Sequence, residues 1–303
     1  MIDIAIIGGG PAGLSAGLYA SRAGRNAVLF ESLYSGGQIT KTDNIENYPG
    51  FDEGADGFTI ASKMEKQAVR FGLEIKNQSV TALELEGDVK KIICGESEYE
   101  ARTVIIATGA SPRPMGIPRE QELVGAGISY CATCDGAFFR GKSVAVVGGG
   151  DTALSDALYL ARFCERIYLV HRRKEYRAAA VLQNAVRAQD KIVETLGFVP
   201  AEILGEGSVA GLVVKDVKTQ NAQTLDVSGI FIAVGVNPNT ALVTGKLELN
   251  DAGYIVTDKY MQTPVEGVYA AGDVRDTPLR QVVTAAADGA VAATSAVERL
   301  MKL

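Results

Sequence analysis

The chain has 303 residues, enough for one large domain or two of ordinary size around a buried core. With 47% hydrophobic and 22% charged residues it has the balance of a soluble globular protein, and a net charge of −6 argues against nucleic acid as its main partner, since phosphate binding needs a basic surface. No stretch of about 18 residues is apolar throughout, so no membrane span is expected, and Met1-Ile2-Asp3 lacks the basic start of a secretory signal, which points to a cytoplasmic protein.

The apolar run Ile2 to Ile7 predicts a first β-strand, and a helical pattern follows from about Pro11 to Ala23, closed by Gly24. A second apolar run, Ala27 to Phe30, ends on Glu31. Between the first strand and the helix, Gly8-x-Gly10-x-x-Gly13 has the spacing of a dinucleotide fingerprint. Its first glycine permits the tight turn, its second lets backbone approach a pyrophosphate, and its third lets helix and strand pack closely. Pro11 and Ala12 open the helix, whose N-terminal amides would hold the phosphates. Glu31 stands where a carboxylate can bond the adenosine ribose hydroxyls. A plain glycine turn could carry the same three glycines, but strand, helix and acid are all in place around them.

Thr103 to Thr108 is a further apolar strand with Gly109 behind it, and Pro112, Pro114 and Pro118 mark a crossing into a second domain. The chemical centre follows: Cys131-Ala132-Thr133-Cys134-Asp135-Gly136. Cysteines at i and i+3 can close a small disulfide ring, and if they open a helix its dipole lowers a thiol pKa. A zinc site normally needs four ligands, and His171, Cys94 and Cys164 form no second ligand pair, so no metal is expected. Asp135 could exchange protons with a thiolate or could be an ordinary helix-start carboxylate. Cys94 and Cys164 are expected to be buried and inert.

Ser143 to Val147 begins the second strand–turn–helix–strand unit, with Gly148-x-Gly150-x-x-Ala153 as its fingerprint. Asp151 and Thr152 open its helix, which runs to about Phe163, and the next strand is Arg166 to Val170. That strand ends not on an acid but on His171-Arg172-Arg173, with Arg177 one turn further. An acid would repel a 2′-phosphate, whereas arginines offer it bidentate hydrogen bonds and favour NADP(H) over NAD(H). His171, the only histidine, is read as part of this phosphate site and not as a general base. One site with a ribose-binding acid and one with an arginine group suggest two nucleotides, FAD and NADPH. Gly229 to Val234, with Gly235 behind it, mirrors the strand at 103–108, and Asn237-Pro238-Asn239 marks a second crossing. The expected fold is therefore α/β, with two Rossmann-like dinucleotide-binding domains. Residues 1–112 form the first part of an FAD domain and 239–303 its second part. Residues 113–238 form an inserted NADPH domain that carries the cysteine pair. A last helix, about Gln281 to Leu300, needs a sheet to pack on, and that of the first domain is expected.

Together these segments resemble the low-molecular-weight thioredoxin reductases over nearly the whole chain. Cys-Ala-Thr-Cys-Asp-Gly from Cys131 is similar to that family's redox-active signature, and His-Arg-Arg-x-x-x-Arg from His171 to its 2′-phosphate motif. Gly36-Gly37-Gln38, Glu46-Asn47-Tyr48-Pro49-Gly50, Ala270-Ala271-Gly272-Asp273 and Arg280-Gln281-Val282 are similar to its FAD-binding segments. The resemblance implies that Asp273 contacts the ribityl chain and Gln281-Val282 the isoalloxazine edge. It implies a homodimer, and electron flow from NADPH through FAD and the Cys131–Cys134 disulfide to thioredoxin, with the NADPH domain swinging and Cys134 nearer the flavin. One departure stands out: Ser155-Asp156 occupies a place where the family often carries two acids. A flavin dithiol oxidase and a ferredoxin-linked reductase are the rival enzymes, and neither needs the arginines at 172, 173 and 177. A flavin redox sensor is the rival of another class, and turnover separates it from an enzyme.

Overall fold

The computed structural model describes residues 1–41, 45 and 47–302, apart from the side chain of Cys134. Strand β1 (Ile2–Ile7) passes through Gly8–Gly10 into helix α1 (Pro11–Arg22), and strand β2 (Ala27–Glu31) returns beside it. Proline as first helical residue gives up an amide that has no helical partner and already holds a helical φ. Helix α2 (Gly57–Arg70) begins at Asp56, which accepts from the Thr59 amide at 2.8 Å. Strands β3 (Glu74–Asn77), β4 (Ala82–Glu84), β5 (Lys90–Cys94) and the long β6 (Ser97–Ile106) follow.

β3, β2, β1 and β6 form a parallel layer in that order, while β5 and β4 pair antiparallel on the first half of β6. Register sets Ile6 between Leu29 and Ile105, and Ile7 between Phe30 and Ile106. Alternate residues therefore feed two separate cores. Ile4, Ile6, Leu29 and Ile105 face one; Ala5, Ile7, Phe30 and Ile106 face the other. A parallel sheet covered on both faces explains why these strands read as unbroken apolar runs and not as alternating patterns.

The chain leaves this unit along β7 (Ala110–Pro112). The next unit contains β8 (Ile128–Ser129), the four-residue helical turn α3 (Ala132–Asp135), β9 (Ser143–Gly148), α4 (Asp151–Leu160) and β10 (Arg166–His171). Then come α5 (Ala180–Arg187), β11 (Ile192–Leu196), β12 (Phe198–Leu204), β13 (Gly211–Asp216), β14 (Ala222–Leu225) and β15 (Gly229–Ala233). Its parallel sheet has the order β11-β10-β9-β15-β8. Helices α4 and α5 cover one face, and the antiparallel β12-β13-β14 sheet covers the other.

The return strand β16 (Val236–Pro238) pairs with β7. Flanking the pair, the Arg113 amide bonds the Gly235 carbonyl and the Asn239 amide the Gly109 carbonyl, each at 2.9 Å. Strand β17 (Val268–Ala270) then adds parallel to the second half of β6, and helix α6 (Val282–Leu300) packs on α1. A Cβ at Gly289 would stand 2.0 Å from the Ala12 carbonyl oxygen, so α6 approaches α1 closely only because that position is glycine. By internal contacts the chain divides into Met1–Ser111 with Asn237–Leu303, and Pro112–Val236. Among the described residues no helix is long and apolar enough to cross a membrane.

In both parallel sheets the strand before the glycine turn is central, and its neighbours lie on opposite sides: β2 and β6 about β1, β10 and β15 about β9. That is the switch point at which open α/β sheets form a crevice beyond the strand ends.

Candidate functional site

Each unit has a cleft at its switch point. The cleft of the first unit, about 310 Å³, is lined by Gly8, Gly9, Gly10, Pro11, Ala12 and Glu31, by Gly37 and Gln38, and by Gly272, Asp273, Gln281 and Val282. The glycines divide by what they do. Gly8 has φ +109°, and a Cβ on it would meet the Ala107 carbonyl oxygen at 2.4 Å. A Cβ on Gly13 would lie 1.9 Å from the Gly8 carbonyl oxygen. Both are therefore glycine for internal reasons, and Gly13 lies beneath the cleft, not in its lining. Gly10 is different: its φ is an ordinary −72°, and nothing lies within 4 Å of a Cβ there. Neither conformation nor packing requires glycine, so what it leaves open is space outside the protein. It is also the N-cap of α1 and supplies no side-chain capping bond. An uncapped helix N-terminus facing vacant space fits a phosphate group.

Glu31 binds back to the turn. One carboxylate oxygen accepts from the Gly9 amide at 2.8 Å, and the other accepts from the Ser32 amide at 2.8 Å. Gln281 accepts from the Asn47 side-chain amide at 2.8 Å and closes a capping box with Thr284 at the start of α6. Burial raises the Asp273 carboxyl above its ordinary value, with the Arg280 charge pulling it back. Arg280 itself lies over the Tyr254 ring at 4.1 Å, and neither it nor Asn47 lines the cleft. Glu46 lies outside the described residues. Sequence reading missed Thr108 and Asn239, which line this cleft from the strand ends. It also missed the buried Arg275–Asp288 pair (2.7 Å), whose carboxylate accepts from the Gly272 amide and so ties the turn at Gly272–Val274 to α6.

The second cleft, about 300 Å³, lies wholly within the second unit. Gly150 resembles Gly10 in its φ of −101°, open space around a Cβ and lack of a capping bond at the start of α4, though Gly148 and Gly149, not Gly150, line the cleft. Gly148 has Ala153 packed behind it, since a Cβ on Gly148 would touch the Ala153 methyl at 2.6 Å. Asp151 accepts from the Ala179 amide at 2.7 Å, and Thr152 is exposed on α4; neither lines the cleft. Arg172 and Arg177 do line it, Arg177 held by its amide to the Gly149 carbonyl at 2.8 Å, whereas Arg173 does not. All three side chains are exposed, and among the described residues no carboxylate pairs with them.

His171 lines this cleft too. It is buried, stacked on Tyr176 at 5.7 Å, and a Cβ on Gly149 would fall 2.3 Å from its ring. Burial pulls its pKa below the ordinary 6.5, with the arginine charges at 177, 172 and 173 acting in the same direction. His171 is thus a neutral shelf under the turn and carries no charge to a phosphate at neutral pH. The folded chain resists protonating it, so this contribution to stability is complete above about pH 6.5 and is lost as the pH falls below it. Melting temperatures of wild type and His171→Gln should therefore converge as the pH drops from about 7.5 to 5. A gap that stays constant would show that His171 does not titrate differently on folding.

One wall of this cleft comes from the crossing segment that Pro112, Pro114 and Pro118 mark in the sequence. Arg113, Pro114 and Met115 line it, and Glu120, only 3% exposed, holds them. Its carboxylate accepts from the amides of Met115 and Gly116 at 2.9 and 2.8 Å, and from the Tyr130 hydroxyl at 2.7 Å. Burial and this carboxylate push the Tyr130 pKa up to about 12, so the hydroxyl stays a donor.

Tyr130 precedes the cysteine segment. α3 is a single turn, continued only by a 3₁₀ turn (Gly136–Phe139), so the helix-dipole lowering of a thiol pKa has too short a helix behind it. Cys131 is disulfide-bonded, and Cys94 and Cys164 are free and buried. The Cys134 side chain lies outside the described part of the structure. Asp135 is half-buried and accepts from the Ser129 hydroxyl at 2.6 Å. Phe138 stands 75% exposed just beyond it. On α4, Ser155 is exposed, while burial pushes Asp156 up to about 7.

Two clefts ready for phosphate and a cysteine segment in the second unit narrow the chemistry, and a family comparison decides it. The pyridine nucleotide-disulphide oxidoreductase model matches residues 2–289. The chain belongs to the pyridine nucleotide-disulphide oxidoreductase family. Within that family it groups with the low-molecular-weight thioredoxin reductases. It is 46% identical over 300 residues to the thioredoxin reductase of Peptoclostridium acidaminophilum, which covers 97% of this chain and 95% of that protein. It is 42% identical over 295 residues to that of Mycolicibacterium smegmatis, covering 97% and 95%. The crystal structure of the Lactococcus lactis thioredoxin reductase in its FR conformation superposes with a TM-score of 0.88, at 41% identity over all of both chains. This pyridine nucleotide-disulphide oxidoreductase is thus a flavoprotein with FAD and NADPH as its cofactors.

Proposed function

We propose that the chain is an NADPH-dependent thioredoxin-disulfide reductase that binds FAD in the first unit and NADPH in the second. Electrons then leave through a Cys131–Cys134 disulfide to thioredoxin. The observation that carries this reading is the shared device at Gly10 and Gly150: two uncapped helix N-termini facing open space, one beside a carboxylate and the other beside arginines. FAD, when bound, accepts two electrons from a nicotinamide and passes them to a disulfide. The work of the protein is to place and protect. Gly10, Pro11 and Ala12 hold the flavin's pyrophosphate, Glu31 its ribose, and Gly37, Gln38, Asp273, Gln281 and Val282 the rest of the cleft. Arg172 and Arg177 hold the 2′-phosphate, and Asp135 exchanges protons with the cysteine sulfurs. Exposed Phe138 gives a disulfide-bearing protein an apolar surface beside the cysteines. We place the enzyme in the cytoplasm as a homodimer. The oxidase and ferredoxin-linked readings leave the arginine group without a task, and turnover with NADPH and a disulfide protein separates the enzyme from a sensor.

The test is kcat/KM with NADPH and with NADH, read by flavin absorbance. Each charge-assisted bond to the phosphate is worth about 1.5–3 kcal/mol, or roughly tenfold or more in affinity. Arg172→Ala with Arg177→Ala should raise the KM for NADPH by about one to three orders of magnitude and leave NADH almost unchanged. Arg173→Ala, outside the cleft lining, should do less. Equal loss with both coenzymes would make the arginines a structural anchor and remove the NADPH assignment.

A further inference from the structure

Asp135 closes a helical turn of only four residues, a poor platform for a group that must meet a sulfur at hydrogen-bonding distance. What steadies it lies six residues earlier in the chain. Ser129 ends β8, paired in parallel with Phe231 of β15, and is 4% exposed. Its hydroxyl oxygen is 2.6 Å from Asp135 Oδ2 and 3.1 Å from the Cys131 carbonyl, while the Cys131 amide donates to it at 3.0 Å. A hydroxyl has one proton to give, and the shorter contact, to a carboxylate, takes it. Accepting from the Cys131 amide polarises the hydroxyl and strengthens what it donates. An amide, a hydroxyl and a carboxylate thus form one directed chain from the backbone of a redox cysteine to the proposed proton carrier.

We propose that Ser129 is the positioning residue for Asp135: it anchors Oδ2 to the sheet and so leaves Oδ1 as the oxygen that exchanges a proton with a cysteine sulfur. The inference rests on the reading of Asp135 as that carrier. Ser129 touches neither coenzyme cleft, so its effect belongs to the thiol step alone.

The experiment is a double-mutant cycle on the flavin-loaded enzyme: Ser129→Ala, Asp135→Asn and both together. Two rates are followed by stopped-flow flavin absorbance: reduction by NADPH, and reoxidation by the enzyme's own disulfide. Ser129→Ala should slow the second rate about tenfold and leave the first unchanged. In the Asp135→Asn background the same change should alter the second rate less than twofold, because a residue that acts through Asp135 has nothing left to position. Ser129→Thr, which keeps the hydroxyl, should restore most of the rate. A loss of equal size in both backgrounds, or none in either, overturns the proposal, since the serine would then be packing or inert. If instead Asp135→Asn alone keeps the wild-type thiol rate, it is the reading of Asp135 that falls, and the role of Ser129 with it.

Discussion

The Cys134→Ser enzyme is expected to take up electrons from NADPH at the wild-type rate and to reduce no thioredoxin at all. The first step uses only nicotinamide and flavin, and neither cleft proposed to hold them is lined by a cysteine. The outward step is a thiol–disulfide exchange, in which one sulfur attacks and the other must release the resulting mixed disulfide. With one sulfur gone, the flavin can be reduced but has no disulfide to open. Neither Cys94 nor Cys164 can substitute. Cys94 lies in the first unit's core, and Cys164 is 1% exposed with its thiol pKa pushed up to about 11 by burial, far from a reactive thiolate at neutral pH. The check is stopped-flow flavin reduction beside steady-state reduction of a thioredoxin disulfide. Thioredoxin turnover near the wild-type rate would place the redox centre elsewhere.

Asp135→Asn should slow the step between reduced flavin and the disulfide by roughly 10²–10⁴-fold, the range for loss of a positioned acid–base group. FAD content and the NADPH step should not change. The amide is nearly the size of the carboxylate and can still accept from the Ser129 hydroxyl, so the local structure should hold. What it cannot do is take up or give back a proton at neutral pH. Unchanged thiol kinetics would leave Asp135 as a carboxylate that merely ends α3.

Much of this architecture is legible in the sequence because glycine and apolar runs act locally. Both strand–turn–helix–strand units start and stop within a few residues of where the spacing predicts, the first helix at Pro11–Arg22 and the last at Val282–Leu300. The site is legible only in part. Gly8, Gly10 and Gly13 look alike as letters, yet only the surroundings show that Gly10 spares outside space while Gly13 spares a carbonyl. His171, Arg172 and Arg173 sit in a row that reads as one phosphate site, but in the fold His171 lines the cleft as a buried ring beneath the turn, and Arg173 stays off the cleft lining. Glu120, Asp288 and the Ser129–Asp135 bond depend on partners from other elements, and no pattern of short period could reveal them. A buried acid among polar loop residues, as at Glu120, is the nearest thing to a signal, and it is visible only once burial is known.

The pairing of β7 with β16 bears on how such a chain can be rebuilt. The outgoing and returning strands lie side by side as a two-stranded sheet of their own, so the first unit's chain is interrupted at one place, as it would be by a hairpin loop. Closing a loop costs entropy that grows only slowly with its length, and here the two ends are already clamped by backbone bonds on either flank of the pair. The segment from Pro112 to Val236 is therefore a cassette. Another nucleotide-binding segment with equally close ends could be spliced in its place, changing the coenzyme without recutting the strands that carry the flavin.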